Sequence, residues 1–127
     1  MKQEQVMARR EKLFAALQSG DAVILFANLE EKLKKFKQDN NFLYLTGLTC
    51  PDAIYMAFKG SAASEFLFIQ RGIPEREVWE GKKMTVEEAR EISGIENVLY
   101  QDQFDGVLSQ YCPAIYRIHA NIGALEL

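Results

Sequence analysis

Six consecutive apolar residues, Ala22-Val23-Ile24-Leu25-Phe26-Ala27, constrain this chain more than any other segment. The run is too short for a helix of ordinary length and reads as a strand. A strand with no polar residue on either face belongs in the middle of a sheet covered on both sides, so helices must lie above and below it. One candidate stands just upstream. Over residues 3–18, Val6, Leu13 and Leu17 recur at helical spacing with Met7 and Phe14 alongside, while Glu4, Arg9, Glu11 and Lys12 take the wet face. Ser19-Gly20-Asp21 then stops the helix and turns the chain into the strand.

Further along, residues 28–41 are polar and lysine-rich and read as a loop. Strand candidates follow at 42–46, 53–59 and 65–70, separated by segments rich in Gly, Pro and Ser. Such short connections favour antiparallel neighbours, because a parallel crossover needs a dozen or more residues. After a loop at 71–84, Thr85-Val86-Glu87-Glu88 forms a capping box that opens a helix running to about Ser93 and stopping at Gly94. A short strand at 97–100 comes next. Asp102 can then cap a helix with Phe104, Val107, Leu108 and Tyr111 on one face, which Pro113 ends before a last strand at 114–119. The predicted class is α/β: a mixed, partly antiparallel sheet with helices on both faces, in one domain spanning 1–127.

Composition removes several function classes. At 127 residues with 48% hydrophobic and 26% charged side chains, the chain has the profile of an ordinary globular domain. A formal net charge of −3 gives no general attraction to nucleic acid or anionic membranes. The basic run Lys32, Lys34, Lys35 and Lys37 adjoins Glu30 and Glu31, and reads as a solvated loop with Phe36 tucked inward. No apolar segment approaches the ~20 residues needed to span a bilayer. Cys50 and Cys112, far apart and without metal-ligand neighbours, read as small, partly buried apolar residues in a reducing compartment. The beginning of the chain lacks a signal peptide's apolar run, so a cytoplasmic location is expected.

Reactive constellations are hard to find. The single histidine, His119, has no nucleophile elbow to face and reads as a structural or surface residue. One His and two remote Cys give no zinc spacing. No phosphate-binding glycine motif occurs. The order of elements resembles ribonuclease H-like folds, whose nucleases set acidic groups on strand ends to hold two metals. Here the central strand offers Asp21 only at its entrance, so the arrangement is shared and the active site is not.

Two stretches remain. The first is Phe36-Lys37-Gln38-Asp39-Asn40-Asn41-Phe42-Leu43-Tyr44-Leu45-Thr46-Gly47, followed by Pro51-Asp52-Ala53; it reads as a polar turn feeding an aromatic strand. The second, Glu77-Val78-Trp79-Glu80-Gly81-Lys82-Lys83, puts the chain's one tryptophan on a loop. Together they resemble the N-terminal domain of the Xaa-Pro aminopeptidase, prolidase and creatinase superfamily, and aminopeptidase P in particular. The resemblance runs over essentially the whole chain. It makes Phe36, Gln38, Asp39, Phe42, Tyr44, Thr46, Gly47, Pro51 and Gly81 family-motif positions, mainly structural, and Trp79 a residue of substrate access.

The resemblance implies more than the residues carry. Relatives of this kind remove an N-terminal residue preceding proline, with two divalent metals, usually manganese, in a C-terminal pita-bread domain that supplies two Asp, one His and two Glu. That catalytic domain is absent from residues 1–127, so the chain alone is expected to be inactive, with no catalytic or metal-binding residue of its own. Its implied partners are the C-terminal domain of the same polypeptide, further copies in a dimer or tetramer, and proline-containing peptides bound by the whole enzyme. The chain departs from the family at Lys37, where many relatives carry Arg, and upstream, where their acidic residue has only Glu31 as counterpart. Lysine does not reproduce arginine's planar two-pronged contact. Two alternatives share the fold: the same domain of a prolidase- or creatinase-like hydrolase, or a stand-alone module binding protein or peptide.

Overall fold

The computed structural model describes residues 2–30, 35–80 and 82–121, with Trp79 and Glu80 described by their backbone only. The apolar run forms β1 (Asp21–Phe26), and every residue from Asp21 to Leu25 is buried. It lies between β2 (Ile54–Lys59), antiparallel to it, and β5 (Arg117–Ala120), parallel to it. On the far side of β2 come β3 (Ala63–Ile69), antiparallel, and β4 (Val98–Tyr100), parallel to β3. The sheet order is therefore β4-β3-β2-β1-β5. The mixed sheet read from the sequence is present.

Both faces of the sheet are covered, as an all-apolar central strand requires. Val23 and Leu25 point to one side, where Tyr55, Ala57, Leu67 and Ile69 complete a floor. Onto it pack α1 (Gln3–Ala16), α2 (Asn40–Thr46) and α4 (Val86–Ser93), through residues such as Leu13, Phe42 and Ala89. Ile24, Met56 and Phe68 point to the other side, under α5 (Phe104–Tyr111). There Phe68 meets Phe104 edge-on at 5.1 Å between ring centres, and Tyr111 sits 5.6 Å from Phe66. A fully buried side chain such as Phe68 or Met56 contributes about 1.5–3 kcal/mol relative to leaving it in water.

One buried charge, on α1, holds several elements together. Arg10 lies on the inward stripe of α1, and its guanidinium ties three elements together. It donates to Glu65 on β3 at 3.0 Å, to the Leu45 carbonyl near the end of α2 at 2.8 Å, and to the Ser93 carbonyl at the end of α4. Helix ends leave carbonyls without intrahelical partners, and a buried arginine can satisfy several at once. Tyr55 donates to the same Glu65 carboxylate at 3.0 Å. Burial first, then that carboxylate, push the Tyr55 phenol upward.

Four expectations are corrected. Residues 42–46 are not a strand but most of α2, because Asp39 caps its start, accepting from the Phe42 N–H at 2.9 Å, and Gly47 ends it at φ 76. The region 71–84 contains a helix, α3 (Pro74–Glu80), so the Trp79 backbone is helical and not in a loop. Asp102 does not cap α5; its carboxylate holds Arg71 at 2.6 Å, and a 3₁₀ turn over Gln101–Gln103 leads into the helix. The last strand covers Arg117–Ala120, because Pro113 sits in a 3₁₀ turn over Cys112–Ala114 that delays it. The capping box at Thr85 and Glu88 and the stop at Gly94 stand as read.

Candidate functional site

Both motif stretches lie at one end of the sheet, where β1 and β3 run out and β2 begins. The first is organised by Gln38, whose buried amide serves four backbone groups. Its Oε1 accepts from the N–H groups of Asn28 and Asp39, each at 3.0 Å. Its Nε2 donates to the carbonyls of Leu48 at 3.2 Å and Cys50 at 2.8 Å. A loop with this many buried backbone groups needs such a partner, since each unsatisfied group costs about 1–3 kcal/mol. Asn28 repeats the device, donating to the Lys37 carbonyl at 2.9 Å.

Within α2, Phe42 and Thr46 are one turn apart and both fully buried, while Tyr44 faces out. Thr46 donates back to the Phe42 carbonyl at 2.8 Å and accepts from the Leu48 N–H at 3.2 Å, so its hydroxyl carries the chain past Gly47. Arg9 lies 4.3 Å above the Tyr44 ring. Phe36 is half-buried, as is Pro51. Lys35 and Lys37 are exposed. Glu31, Lys32, Lys34 and Gly81 fall outside the described residues, as does the side chain of Trp79. Cys50 is half-buried as expected; Cys112, in the turn ahead of β5, is exposed instead.

An open cavity of about 400 Å³ separates the two stretches. Thr49, Cys50 and Pro51 wall it from the first, Lys82, Lys83 and Met84 from the second, with Ile69 and Gln70 at the end of β3 between them. Desolvation raises the Cys50 thiol to about 11, so it stays protonated. Next to Pro51, Asp52 adopts φ 58 and accepts from the Gln70 amide at 2.9 Å. Burial raises its carboxyl above the ordinary value, Lys83 opposes that rise, and Glu30 adds to it. No single stretch of sequence announces this meeting of Glu30, Cys50, Asp52, Gln70 and Met84, because it depends on four segments converging.

At the opposite end of the sheet, Asp21 is buried and accepts from the Gln18 N–H at 2.9 Å and from Arg117 at 3.0 Å. His119 is exposed and lies 3.7 Å from the same carboxylate. His119 thus stands as an exposed imidazole beside the buried Asp21 carboxylate, in keeping with a structural or surface residue. Among the described residues no group of three or more His, Cys, Asp or Glu side chains could hold a metal ion, so the metals the resemblance implies do not fit residues seen here. No described helix is long and apolar enough to cross a membrane.

A sheet covered on both faces, with Gln38, Asp39 and Thr46 committed to holding the chain at one edge, defines an α/β domain whose motif residues serve as scaffold there. The chain belongs to the aminopeptidase P N-terminal domain family, whose model matches residues 6–117. It is 29% identical over 111 residues to an Xaa-Pro aminopeptidase of Haemophilus influenzae, covering 83% of this chain and 26% of that protein. It is 30% identical over 103 residues to Xaa-Pro aminopeptidase 3 of Dictyostelium discoideum, covering 76% and 20%. Among solved structures, a Bacillus anthracis protein assigned to aminopeptidase P superposes with a TM-score of 0.87 at 33% identity, over 100% of this chain and 32% of that one. An Escherichia coli aminopeptidase P with the inhibitor Pro-Leu gives 0.85 at 22% identity, over 97% and 30%, a likeness of fold. The chain thus spans about a quarter of the curated relatives' length.

Proposed function

We propose that this chain serves as the non-catalytic N-terminal domain of an Xaa-Pro aminopeptidase, an enzyme that removes the residue preceding an N-terminal proline bond. The observation that carries the reading is the family match over residues 6–117 together with the arrangement of the two motif stretches at one sheet edge. The chemistry would reside in the remainder of the polypeptide, which would supply the ligands for two divalent metals, manganese by family resemblance. In that enzyme the domain would hold copies together as a dimer or tetramer and border the route to the active site in the cytoplasm. Trp79 on α3 would be its access residue.

The test compares this chain with the full reading frame on a Xaa-Pro-Xaa tripeptide in added manganese. Activity in the longer protein alone, abolished by chelation, is the expected result. Faster cleavage of a Xaa-Pro dipeptide than of the tripeptide would move the assignment to the prolidase-type hydrolases. A longer protein inactive on both would leave a binding module. Trp79→Ala in the active enzyme is expected to raise KM about tenfold with kcat little changed, the signature of lost binding rather than lost chemistry.

A further inference from the structure

The cavity between the motif stretches has features that the scaffold role does not use. It opens at the carboxyl ends of β1 and β3, the edge at which open α/β sheets collect their ligands. Its volume of about 400 Å³ falls within the range of small-molecule sites, roughly 300–1,000 Å³. The lining is mixed in a particular way. Ile69, Met84 and the neutral Cys50 give an apolar wall, while Glu30 and Glu88 on the one hand and Lys82 and Lys83 on the other bring both signs of charge to the same opening, Glu30 and Lys82 from exposed positions.

We propose that this cavity binds a small zwitterion, a free aliphatic α-amino acid, with its ammonium at Glu30, its carboxylate at Lys82 and its side chain against Ile69 and Met84. A simple anion or cation meets charges of both signs on such a rim. A molecule carrying both charges on one carbon, with a short aliphatic body, satisfies both and covers the apolar wall. No bond is made or broken: the Cys50 thiol, held protonated, acts as wall and not as nucleophile. The first residue of a peptide shares the ammonium and the side chain but lacks the carboxylate, so the two sources can be separated.

The experiment is an amide-resolved NMR titration of this chain, and it reads binding without any assay of peptidase activity. It therefore stands or falls apart from the reading above. L-leucine is expected to move the resonances of Thr49, Cys50, Gln70, Lys83 and Met84, with L-leucinamide and isovalerate binding at least about tenfold more weakly, a step worth ~1.4 kcal/mol. Glu30→Lys and Lys82→Glu, both at exposed positions that leave the core intact, should each weaken leucine binding about tenfold, and the double exchange should recover part of the loss. Shifts absent at roughly 10 mM leucine, or scattered away from these residues, overturn the proposal. So does leucinamide binding as well as leucine, which would mark a peptide N-terminus as the ligand, or indifference to both charge reversals.

Discussion

Arg10 is only 3% exposed, yet it is charged, and its three sets of partners explain why it is tolerated. Removing one member of such a buried set strands the rest, so Arg10→Met should cost about 3–5 kcal/mol, read as a lower guanidinium midpoint. Arg10→Lys keeps the charge but not the planar fork, and should fall between the two. Two carboxylates give opposite pH signatures. Asp21 is held below its ordinary value of 3.8, chiefly by the Gln18 N–H and then by Arg117. Its stabilisation is present above 3.8 and is lost as pH falls through the lower folded value, so Asp21→Asn should flatten the acid limb of a stability–pH curve. Asp52, raised by burial, does the reverse: the folded state holds its proton more tightly, and stability declines as pH rises from 3.8 through the folded value. Asp52→Asn keeps an acceptor for Gln70 and suits the positive φ better, so it should raise Tm at neutral pH, with the part of the gain due to the buried charge vanishing in acid.

At the scale of elements, α2 is the instructive case. Its Phe42-Leu43-Tyr44-Leu45 run alternates aromatic and aliphatic side chains, and a run that short is ambiguous between strand and helix by periodicity alone. The punctuation was the better guide: Asp39 before the run and Gly47 after it are a helix start and a helix stop. Asp39→Ala should cost about 1 kcal/mol through the lost cap, and Gly47→Ala a comparable amount or more because φ 76 strains any residue with a Cβ. Both are measurable by thermal denaturation, and a surface change such as Lys37→Ala should cost far less. The same lesson applies to α3, where Pro74 at the first position and Glu75 and Glu77 in the first turn mark a helix inside what reads as a loop. By contrast α4 was legible because Thr85, Glu88 and Gly94 agree with the apolar spacing between them. The strand β1 was legible from its continuous apolar character, and β2 and β3 from the Gly-, Pro- and Ser-rich segments that bound them, each to within two residues at its ends. The cavity was not legible at all, since its walls come from segments up to 58 residues apart, Glu30 to Glu88, and only the sheet order brings them together.

For the whole molecule, the two borders of the sheet are unequal. β4 is short and at least half-buried, whereas every residue of β5 is exposed, and Tyr116 beside it is 84% exposed as it lies across Gly20. Arg117, at the start of β5, is folded back onto Asp21 and Gln18. Hydrogen exchange should therefore open β5 first and the β1–β2 pair last. Slow exchange in β5 equal to that of β1 would mean that something covers this border in solution. Asn121 clasps Phe26 just beyond, donating to its carbonyl at 2.9 Å and accepting from its N–H at 2.8 Å, so the chain leaves the sheet at the end where β1 also finishes. That layout has a mechanical meaning. Tension applied through the two ends of the described chain would first peel α1 and then pull β1 backward and β5 forward. Because these neighbours run in the same direction, their rungs would bear the load together in shear, not one after another as in a zipper. The strand most easily reached by solvent would thus be among the last to yield to a stretching force.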